Sequence, residues 1–405
     1  MLKLFNTLGK QLQPFHITKD HVVNIFTCGP SVYQRAHIGN FRTFLFEDIL
    51  VRYLGFKGFQ VKRGMNFTDI EDKAIQEALK THKDVGTLTE ENIHIFLKEM
   101  DLLRMKIPDY LPKASESVEV VVDIIEKLLD TGKAYRYQGN VYFDPLKYPK
   151  FGELYGIDMR RWPSKRVRYH KDIYPGMRWN LGDFILWHHN QNGKGPYWNT
   201  RIGKGRPAWN IQDPSMILRY FDHTLSIYCG GIDNLIRHHD YTRAILESIR
   251  PYPMARFWLH GHHLYINGVK MSKSRENLYY IQTLLNKGFD IGEIRFFLIY
   301  GHYRKKLNYS DDRMVQTVKK LKDLRERVNS LVSVIDQSGD TNQAVYEKMR
   351  HLFITGMDDD LHVDMAVNQL NRFLSEFDSK HVDKRIASGI VKALQDIDGV
   401  LQVIF

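Results

Sequence analysis

A strand-like run and a helical pattern lie next to each other near the start of the chain. Residues Val22–Thr27 form a short apolar run typical of a buried strand, which ends at Cys28-Gly-Pro. Apolar residues at helical spacing follow from Phe44 to Tyr53, and Phe59-Gln-Val predicts a second strand. A strand, a loop, a helix and a strand in this order predict an α/β fold that begins as a doubly wound, Rossmann-type parallel sheet.

The pattern changes twice further along the chain. Charged helical positions run from residue 71 to about 129, and short strand-like pieces with Gly and Pro turns run from about 134 to 187. This middle third predicts a subdomain inserted at about 100–205 within a catalytic domain of residues 1–311. Strand and helix signals resume at 225–249 and at Leu264-Tyr-Ile266, and purely helical spacing then predicts an α-helical bundle over 312–405.

Two segments carry candidate chemistry for a polyanion. Asn267-Gly-Val-Lys-Met-Ser-Lys-Ser274 has no apolar periodicity and is predicted to be a mobile loop, whose Lys270 and Lys273 could close over a triphosphate. His37-Ile-Gly-Asn40 opens the first helix, where Gly39 permits close backbone approach and the helix N-terminus offers amides to phosphate. Together the two segments predict a nucleotide site.

Composition narrows the class of protein. The 405 residues are 43% hydrophobic and 26% charged, which suits a globular chain of two or three domains. No stretch approaches the length of a membrane span, and two cysteines supply no disulfide framework, so we expect a cytoplasmic protein without a membrane partner. The net charge of +11 favours an anionic partner, and the basic cluster at residues 160–171 is either a phosphate-tracking surface or a solvated face.

The motifs, in their order along the chain, resemble a known family. His37-Ile-Gly-Asn40, an aspartate after Gly230-Gly231, and Lys270-Met-Ser-Lys-Ser274 resemble the set with which class I aminoacyl-tRNA synthetases form an aminoacyl adenylate. Cys28-Gly-Pro-Ser-Val-Tyr33 and Asn66-Phe-Thr-Asp-Ile-Glu-Asp-Lys73 resemble segments of the cysteinyl-tRNA synthetase family, and such segments cover almost the whole chain. The resemblance implies ATP-dependent activation of an amino acid, with Mg²⁺.

The resemblance also implies residue roles. The implied catalytic residues are His37, Asn40, Lys270 and Lys273. The implied ATP-binding residues are Gly39, Gly230, Gly231, Asp233, Met271, Ser272 and Ser274. The implied amino-acid pocket consists of Cys28, Gly29, Tyr33, Thr68, Trp209, Asp213, His238 and Thr242.

The amino-acid pocket departs from the family at two of its four zinc ligands. Cys28 and His238 match the pattern, but the second cysteine falls on Asp213 and the glutamate falls on Thr242. A degenerate site of Cys28, Asp213 and His238 is chemically possible, because a borderline-soft metal accepts a carboxylate oxygen. We expect zinc to be absent or weakly bound, and the activated amino acid need not be cysteine.

The acceptor of the activated amino acid has competing predictions. The chain stops at Phe405 after the bundle, so we expect no C-terminal anticodon-reading tail. A catalytic domain and a bundle without this tail resemble the mycothiol-pathway cysteine ligase. The favoured hypothesis is transfer to a non-tRNA amine or hydroxyl on a small molecule or carrier. The alternatives are a divergent or truncated cysteinyl-tRNA synthetase that charges tRNA, and a catalytically inactive binding paralogue, against which the intact lysine segment argues.

Overall fold

The chain has an α/β fold followed by helices. Its computed structural model describes residues 1–16, 22–157, 183–190, 193, 195–271, 275–335, 341–377 and 381–405, apart from the side chain of Ile236. The predicted basic cluster at 160–171 and the predicted site residues Ser272, Lys273 and Ser274 lie outside the described residues.

Strands and helices alternate through the first three quarters of the described chain. The strands are β1 (Lys3–Asn6), β2 (Gln11–Pro14), β3 (Val22–Thr27), β4 (Gln60–Met65), β5 (Ala134–Tyr137), β6 (Asn140–Phe143), β7 (Phe184–His189), β8 (Trp198–Thr200), β9 (Gly203–Pro207), β10 (Leu225–Gly231), β11 (Ala255–Gly261), β12 (Leu264–Ile266), β13 (Val269–Lys270) and β14 (Leu307–Tyr309). The α-helices are α1 (Ile38–Phe56), α2 (Asp72–Thr81), α3 (Val85–Leu102), α4 (Val118–Asp130), α5 (Trp209–Tyr220), α6 (Asp240–Ile249), α7 (Ile281–Asn286), α8 (Ile291–Ile299), α9 (Asp311–Val332), α10 (Gln343–Met357), α11 (Val363–Leu374) and α12 (Lys384–Leu401). A single π-helical turn, Leu235–His239, leads directly into α6.

The central sheet is parallel, as the sequence predicts. Its strand order is β11-β10-β3-β4, and every neighbouring pair runs parallel. Ile25 and Ile227 face a core that contains α1, while Phe26 and Tyr228, one residue further along each strand, face a core that contains α5 and α6. Helices therefore cover both faces, which explains why these strands are apolar on both sides.

The predicted insertion contains a second sheet. Strands β5-β6-β7-β9-β8 are antiparallel and pack against α4 through their own core. Trp187 and Phe143 are fully buried in that core. The short, turn-rich pieces of the sequence are the strands of this sheet.

The lysine segment differs from the predicted mobile loop, because Lys270 lies on a strand. Val269–Lys270 pairs antiparallel with β12 across a two-residue turn at Asn267 and Gly268. Both turn residues have positive φ, 48° and 78°, which is the backbone that an Asn-Gly hairpin turn favours. The hairpin fixes the register of Lys270 opposite Tyr265.

Helices α9 to α12 form the C-terminal module and share one core with the catalytic part. Ile294 of α8 and Leu54 of α1 belong to the same buried cluster as Leu321 and Leu394. Arg295 is fully buried, donates to Asp48 of α1 at 2.6 Å, and also donates to the backbone oxygen of Leu401. Within the described ranges, none of the helices has the length and apolar character that a membrane crossing needs.

Candidate active site

A cavity of about 630 Å³ opens at the carboxyl ends of the parallel strands. Cys28 follows β3 directly, and Gly231 ends β10. The chain leaves β3 toward β4 on one side, while β10 lies on the other side, so the cavity sits at a topological switch point where α/β sheets bind ligands. The predicted site residues that line it are Cys28, Gly29, Tyr33, His37, Asn40, Thr68, Trp209, Gly231, Asp233 and Met271.

The start of α1 is capped by two predicted catalytic residues. His37 Nδ1 accepts hydrogen bonds from the backbone N–H groups of Gly39 at 3.1 Å and Asn40 at 3.3 Å. In return, Asn40 Oδ1 accepts from the backbone N–H of His37 at 3.0 Å. This reciprocal cap leaves the side-chain amide nitrogen of Asn40 as a donor for a ligand.

The protonation state of His37 follows from its surroundings. Burial lowers the pKa of His37 to about 4, so its ring is neutral at pH 7. Because Nδ1 accepts two backbone hydrogen bonds, the single ring proton belongs on Nε2. His37 therefore offers a neutral N–H donor to an anion in the cavity.

Lys270 lies beside a carboxylate that lines the cavity. Its Nζ is 3.7 Å from Asp233 Oδ2, and both side chains are more than half exposed. His263 Nδ1 lies 4.0 Å from the other oxygen of Asp233. An exposed ion pair of this kind contributes little to stability, so Lys270 can leave Asp233 for a phosphate at small cost.

Asp213 is the centre of a buried hydrogen-bond network below the cavity. Its Oδ1 accepts from Asn66 Nδ2 at 3.0 Å, and its Oδ2 accepts from the Tyr228 hydroxyl at 2.7 Å. His238 Nε2 lies 3.0 Å from the same Oδ2. Burial, followed by the nearby charge of Asp213, raises the pKa of Cys28 well above its usual value. Asp213 thus interacts with two of the predicted metal ligands.

Among the described residues, Thr242, like Asp213 and His238, is not part of the cavity lining. It is fully buried, and its Oγ1 donates to the backbone oxygen of His238 at 2.8 Å. The Thr242 hydroxyl, which stands in the position of the family glutamate, is therefore hydrogen-bonded to the backbone one helical turn earlier. His238 itself is fully buried and stacks on Trp209, with ring centroids 4.1 Å apart and planes 5° apart. Trp209 separates His238 from part of the cavity.

A second buried histidine next to the pocket was not selected from the sequence. His239 Nδ1 lies 2.8 Å from His260 Nε2, and His260 Nδ1 lies 2.8 Å from the Thr7 hydroxyl. A Cβ atom on Gly230 would lie 2.9 Å from His239 Nε2 and 3.2 Å from Cys28 Cβ, so Gly230 allows both side chains to approach one point. The sequence contained a signal for this contact, namely the adjacent histidines His238 and His239 and a further histidine, His260, within the apolar run that forms β11.

The mouth of the cavity is lined by polar and cationic side chains of α2. Lys73, Gln76 and Lys80 share one face of that helix and line the cavity. Lys73 Nζ lies 5.3 Å from the ring centroid of Tyr33, within the range of a cation–π contact. Burial, followed by the charge of Glu71, raises the pKa of Tyr33, so Tyr33 enters the site as a neutral phenol.

The fold and this cavity define a catalytic domain of the class I tRNA synthetase type. Residues 14–319 match the family model described as tRNA synthetases class I (C) catalytic domain. The chain is 34% identical over 413 residues to a cysteine–tRNA ligase of Chlamydia abortus, and this alignment covers 100% of this chain and 86% of that protein. A cysteine–tRNA ligase of Solibacter usitatus is 34% identical over 93% of this chain and 81% of its own length. The chain belongs to the cysteine–tRNA ligase family, whose members are ATP-dependent ligases that form aminoacyl adenylates.

Solved structures show the same fold at lower identity. Mycobacterium tuberculosis methionyl-tRNA synthetase in complex with methionyl-adenylate matches with a TM-score of 0.68 and 14% identity, over 94% of this chain and 92% of that chain. The ternary complex of Agrobacterium radiobacter K84 LeuRS with tRNA and LeuAMS matches with a TM-score of 0.67 and 12% identity, over 94% and 84%. The sequence-based predictions of family and fold class are confirmed.

Proposed function

We propose that this chain uses ATP to convert an amino acid into its adenylate, with release of pyrophosphate. The observation that carries the proposal is that two sets of side chains meet at one cavity. One set consists of hydrogen-bond donors at the start of α1, and the other is a carboxylate after β10 that pairs with a lysine. His37 and Asn40 line the cavity from the start of α1, and Asp233, which holds Lys270, lines it from the end of β10. Such a set of donors suits a triphosphate better than it suits a neutral ligand.

The reaction needs positioning and charge neutralisation more than proton transfer. A carboxylate oxygen of the amino acid attacks the α-phosphorus, a new O–P bond forms, and the bond to the β-phosphate bridging oxygen breaks as pyrophosphate leaves with the electron pair. Because the attacking carboxylate is already ionised, no base has to remove a proton. Mg²⁺ bound to ATP supplies further neutralisation of the phosphates.

We assign roles to the residues of this chain on that basis. His37 Nε2–H and the Asn40 amide donate to phosphate oxygens, and Lys270 exchanges Asp233 for the phosphate whose charge grows in the transition state. From the sequence alone, we also propose that Ser272, Lys273 and Ser274 bind the phosphates. Gly39, Gly230 and Gly231 stay sequence-based proposals for ATP binding, and protein side chains pack closely against each of them.

The amino acid occupies the inner end of the cavity in this proposal. We assign Cys28, Thr68, Trp209 and Tyr33 to this part of the site, and all four line the cavity. The names of the relatives support cysteine as the substrate. The replacement of two family zinc ligands by Asp213 and Thr242 supports our prediction that selection for the thiol is altered.

The acceptor most strongly supported by the relatives is tRNA, because those relatives are named cysteine–tRNA ligases. The non-tRNA amine or hydroxyl predicted from the sequence finds no support in those names and is the alternative for the assay. Two basic side chains of α9 are already used within the fold, since Lys322 pairs with Glu293 at 3.1 Å and Arg325 with Asp290 at 3.1 Å. We therefore assign tRNA backbone binding to no particular residue of α9.

Pyrophosphate exchange tests the activation step. Purified protein is incubated with ATP and labelled pyrophosphate, with each standard amino acid in turn, and one amino acid should support exchange. Lys270→Ala should lower the exchange rate about 100-fold, because a transition-state cation is lost. Lys62→Ala is the matched control, since Lys62 also forms an exposed ion pair, with Asp109 at 3.6 Å, and should retain full activity.

The outcomes of this assay are distinct. Folded protein that supports exchange with none of the amino acids would contradict the proposal and favour the inactive binding paralogue. Where exchange is found, total tRNA and labelled amino acid test the acceptor. Acid-precipitable label on tRNA supports charging, whereas adenylate formation without charging supports the non-tRNA acceptor.

A further inference from the structure

Asp233, just after β10, has a basic side chain beside each of its two carboxylate oxygens. Lys270 Nζ lies 3.7 Å from Oδ2, and His263 Nδ1 lies 4.0 Å from Oδ1. A Cβ atom on Gly231 would lie 2.7 Å from Asp233 Oδ1, so the carboxylate folds back over the end of the strand. When Lys270 moves to a phosphate, His263 remains beside this carboxylate.

The backbone on both sides of the chain holds His263 in this place. His262 donates its backbone N–H to the Tyr303 oxygen at 2.8 Å, and the His263 oxygen accepts from the N–H of Leu307 at 3.1 Å. The ring of His262 is turned to its own backbone, because its Nδ1 accepts from the N–H of His263 at 2.8 Å. His263, whose side chain is 22% exposed, is the member of this pair that contacts Asp233.

The charges around His263 keep its ring neutral while Lys270 is nearby. The groups that face the ring are the carboxylate of Asp233, the ammonium groups of Lys270 and Lys306, and the rings of His262 and Tyr265. Burial lowers the pKa of His263, the charge of Asp233 raises it, and the two lysines lower it further. Departure of Lys270 therefore removes a cation from the ring and leaves the carboxylate.

We propose that His263 takes a proton and replaces Lys270 as the partner of Asp233 when Lys270 moves to the nucleotide phosphates. The proton comes from solvent onto a ring nitrogen, and no covalent bond of the substrate changes in this step. An opposite charge within about 4–6 Å favours the charged form of a group, and the observed 4.0 Å lies in that range. His263 is a positioning residue, because it acts through Asp233 and Lys270. The movement of Lys270 is the step that rests on the proposed function.

Proton uptake by His263 makes nucleotide binding depend on pH. Departure of the lysine and arrival of the negative triphosphate raise the pKa of His263 in the complex above its ligand-free value. Between these two values the complex holds more protons than the free protein. The affinity for Mg–ATP therefore falls as the pH rises through this interval.

The ring of His263 is measured first without nucleotide. Histidine side-chain NMR of the full-length protein gives its pKa, and the signal is assigned by its absence in His263→Gln. Lys270→Ala should raise this pKa, because a cation is removed while the carboxylate stays, and Asp233→Asn should lower it. Lys62→Ala, in which the lysine of another exposed ion pair is lost, should leave it unchanged. A pKa that keeps its wild-type value in Lys270→Ala or in Asp233→Asn would overturn the proposal.

Calorimetry of Mg–ATP binding then counts the protons taken up, by comparison of buffers with different ionisation enthalpies. Wild type should take up more protons than His263→Gln at pH 6–7. The affinity of wild type relative to this variant should be about three- to tenfold higher at pH 6 than at pH 8, because raising a pKa by one multiplies the linked affinity by up to ten. The titration of ATP itself is common to both proteins and cancels in the comparison.

His223→Gln is the matched control for calorimetry. His223 is also a histidine beside a carboxylate, 3.2 Å from Asp222, but both side chains are exposed at the start of β10, the end of the strand opposite the cavity. This variant should bind Mg–ATP with the proton uptake of wild type. Equal proton uptake by wild type and His263→Gln would overturn the proposal, because no proton is then transferred to His263.

Failure of this proposal and failure of the proposed function give different results. Protein that catalyses pyrophosphate exchange, but takes up no more protons than His263→Gln on binding Mg–ATP, would overturn the role of His263 and leave activation standing. Protein that is silent with every amino acid, yet shows proton uptake that depends on His263, would support the role of His263 and contradict activation.

Discussion

The side chain of Met271 covers Gly39 at the first turn of α1. A Cβ atom on Gly39 would lie 2.4 Å from Met271 Cε and 3.0 Å from the His37 ring. The backbone oxygen of Tyr279, beyond the lysine segment, accepts from the N–H of Ile38 at 2.9 Å. The two phosphate-type motifs, more than two hundred residues apart in sequence, are therefore in direct contact.

This contact predicts the effect of one methyl group. Gly39→Ala should displace Met271 and tilt His37, and pyrophosphate exchange should fall by about 10- to 100-fold, because a shift of about 1 Å in a catalytic group has effects of that size. The stability should change by less than about 1 kcal/mol, since the flexible end of a methionine can move and alanine favours a helix.

Gly55→Ala in the same helix is the matched control. A Cβ atom there meets nothing within 4 Å, so the substitution should leave activity unchanged and raise the free energy of unfolding by about 0.5–1 kcal/mol. Equal activity in Gly39→Ala and wild type would contradict the proposed coupling of the two motifs. The measurements are exchange rates and urea unfolding of both variants.

Asn40 combines a structural and a proposed catalytic role that substitution can separate. Asn40→Asp keeps an oxygen that caps the His37 N–H, and a negative charge in the first turn of a helix is favourable. It also replaces the amide donor by a carboxylate facing the triphosphate. We expect unchanged or slightly higher thermal stability, with exchange activity reduced about 100-fold.

Asn40→Ala removes both roles and is the comparison. It should lose about 1 kcal/mol of stability together with activity. Full exchange activity in Asn40→Asp would show that the side chain of residue 40 does not face phosphate.

The sequence predicted the elements whose signals are local. The apolar run of β3 and the spacing of α1 depend on neighbours along the chain, and both lie where they were predicted. The hairpin that carries Lys270 was missed although its turn, Asn267-Gly268, is a strong local signal, because the absence of apolar periodicity was interpreted as mobility.

The ligand geometry could not be predicted in the same way. The hydrogen bonds that join His239 to His260 and His260 to Thr7 connect distant parts of the chain. Asp213 was assigned as a ligand by its position in the motif, but its hydrogen bonds with Asn66 and Tyr228 arise only when α5 packs on β10 and the loop after β4. Motif position identifies the neighbourhood of a side chain, while its hydrogen bonds determine its chemistry.

The lowered pKa of His37 predicts that the free energy of unfolding depends on pH. Its folded pKa of about 4 lies below the usual value of about 6.5 in an unfolded chain. Between these values the unfolded state binds more protons, so the contribution of His37 to the free energy of unfolding rises with pH from 4 to 6.5 and is complete above that range.

His37→Asn isolates this contribution, because asparagine can accept the same backbone hydrogen bonds but does not titrate. Urea unfolding at pH 4.5, 5.5, 6.5 and 7.5 should show a smaller rise for the variant than for wild type. Parallel curves for the two proteins would contradict the lowered pKa.

Asp360 predicts how the helical module is attached to the catalytic part. The carboxylate accepts from the Phe5 backbone N–H at 2.8 Å, from the Tyr303 hydroxyl at 2.8 Å and from Arg304 Nε at 2.6 Å. It lies in the turn between α10 and α11, so it joins β1 and the segment after α8 to the bundle. Burial alone would raise the pKa of Asp360, but the hydrogen bonds from His302, Phe5 and Arg304 hold it below the usual value.

Asp360→Asn should therefore destabilise the protein by about 3 kcal/mol at pH 7, because the variant leaves Arg304 without its carboxylate and turns an acceptor oxygen into a donor. Asparagine tolerates the left-handed backbone at this position, φ 56°, so backbone strain does not contribute. Asp359→Asn is the control: its side chain is 56% exposed and 3.8 Å from His362, and the change should stay within about 0.5 kcal/mol.

Since the folded pKa of Asp360 is lowered, its stabilisation is present above the unfolded pKa of about 3.9 and is lost as pH falls through the folded value. Urea unfolding should accordingly show the wild type and Asp360→Asn converging in acid, and a difference that stays constant down to pH 3 would contradict this assignment.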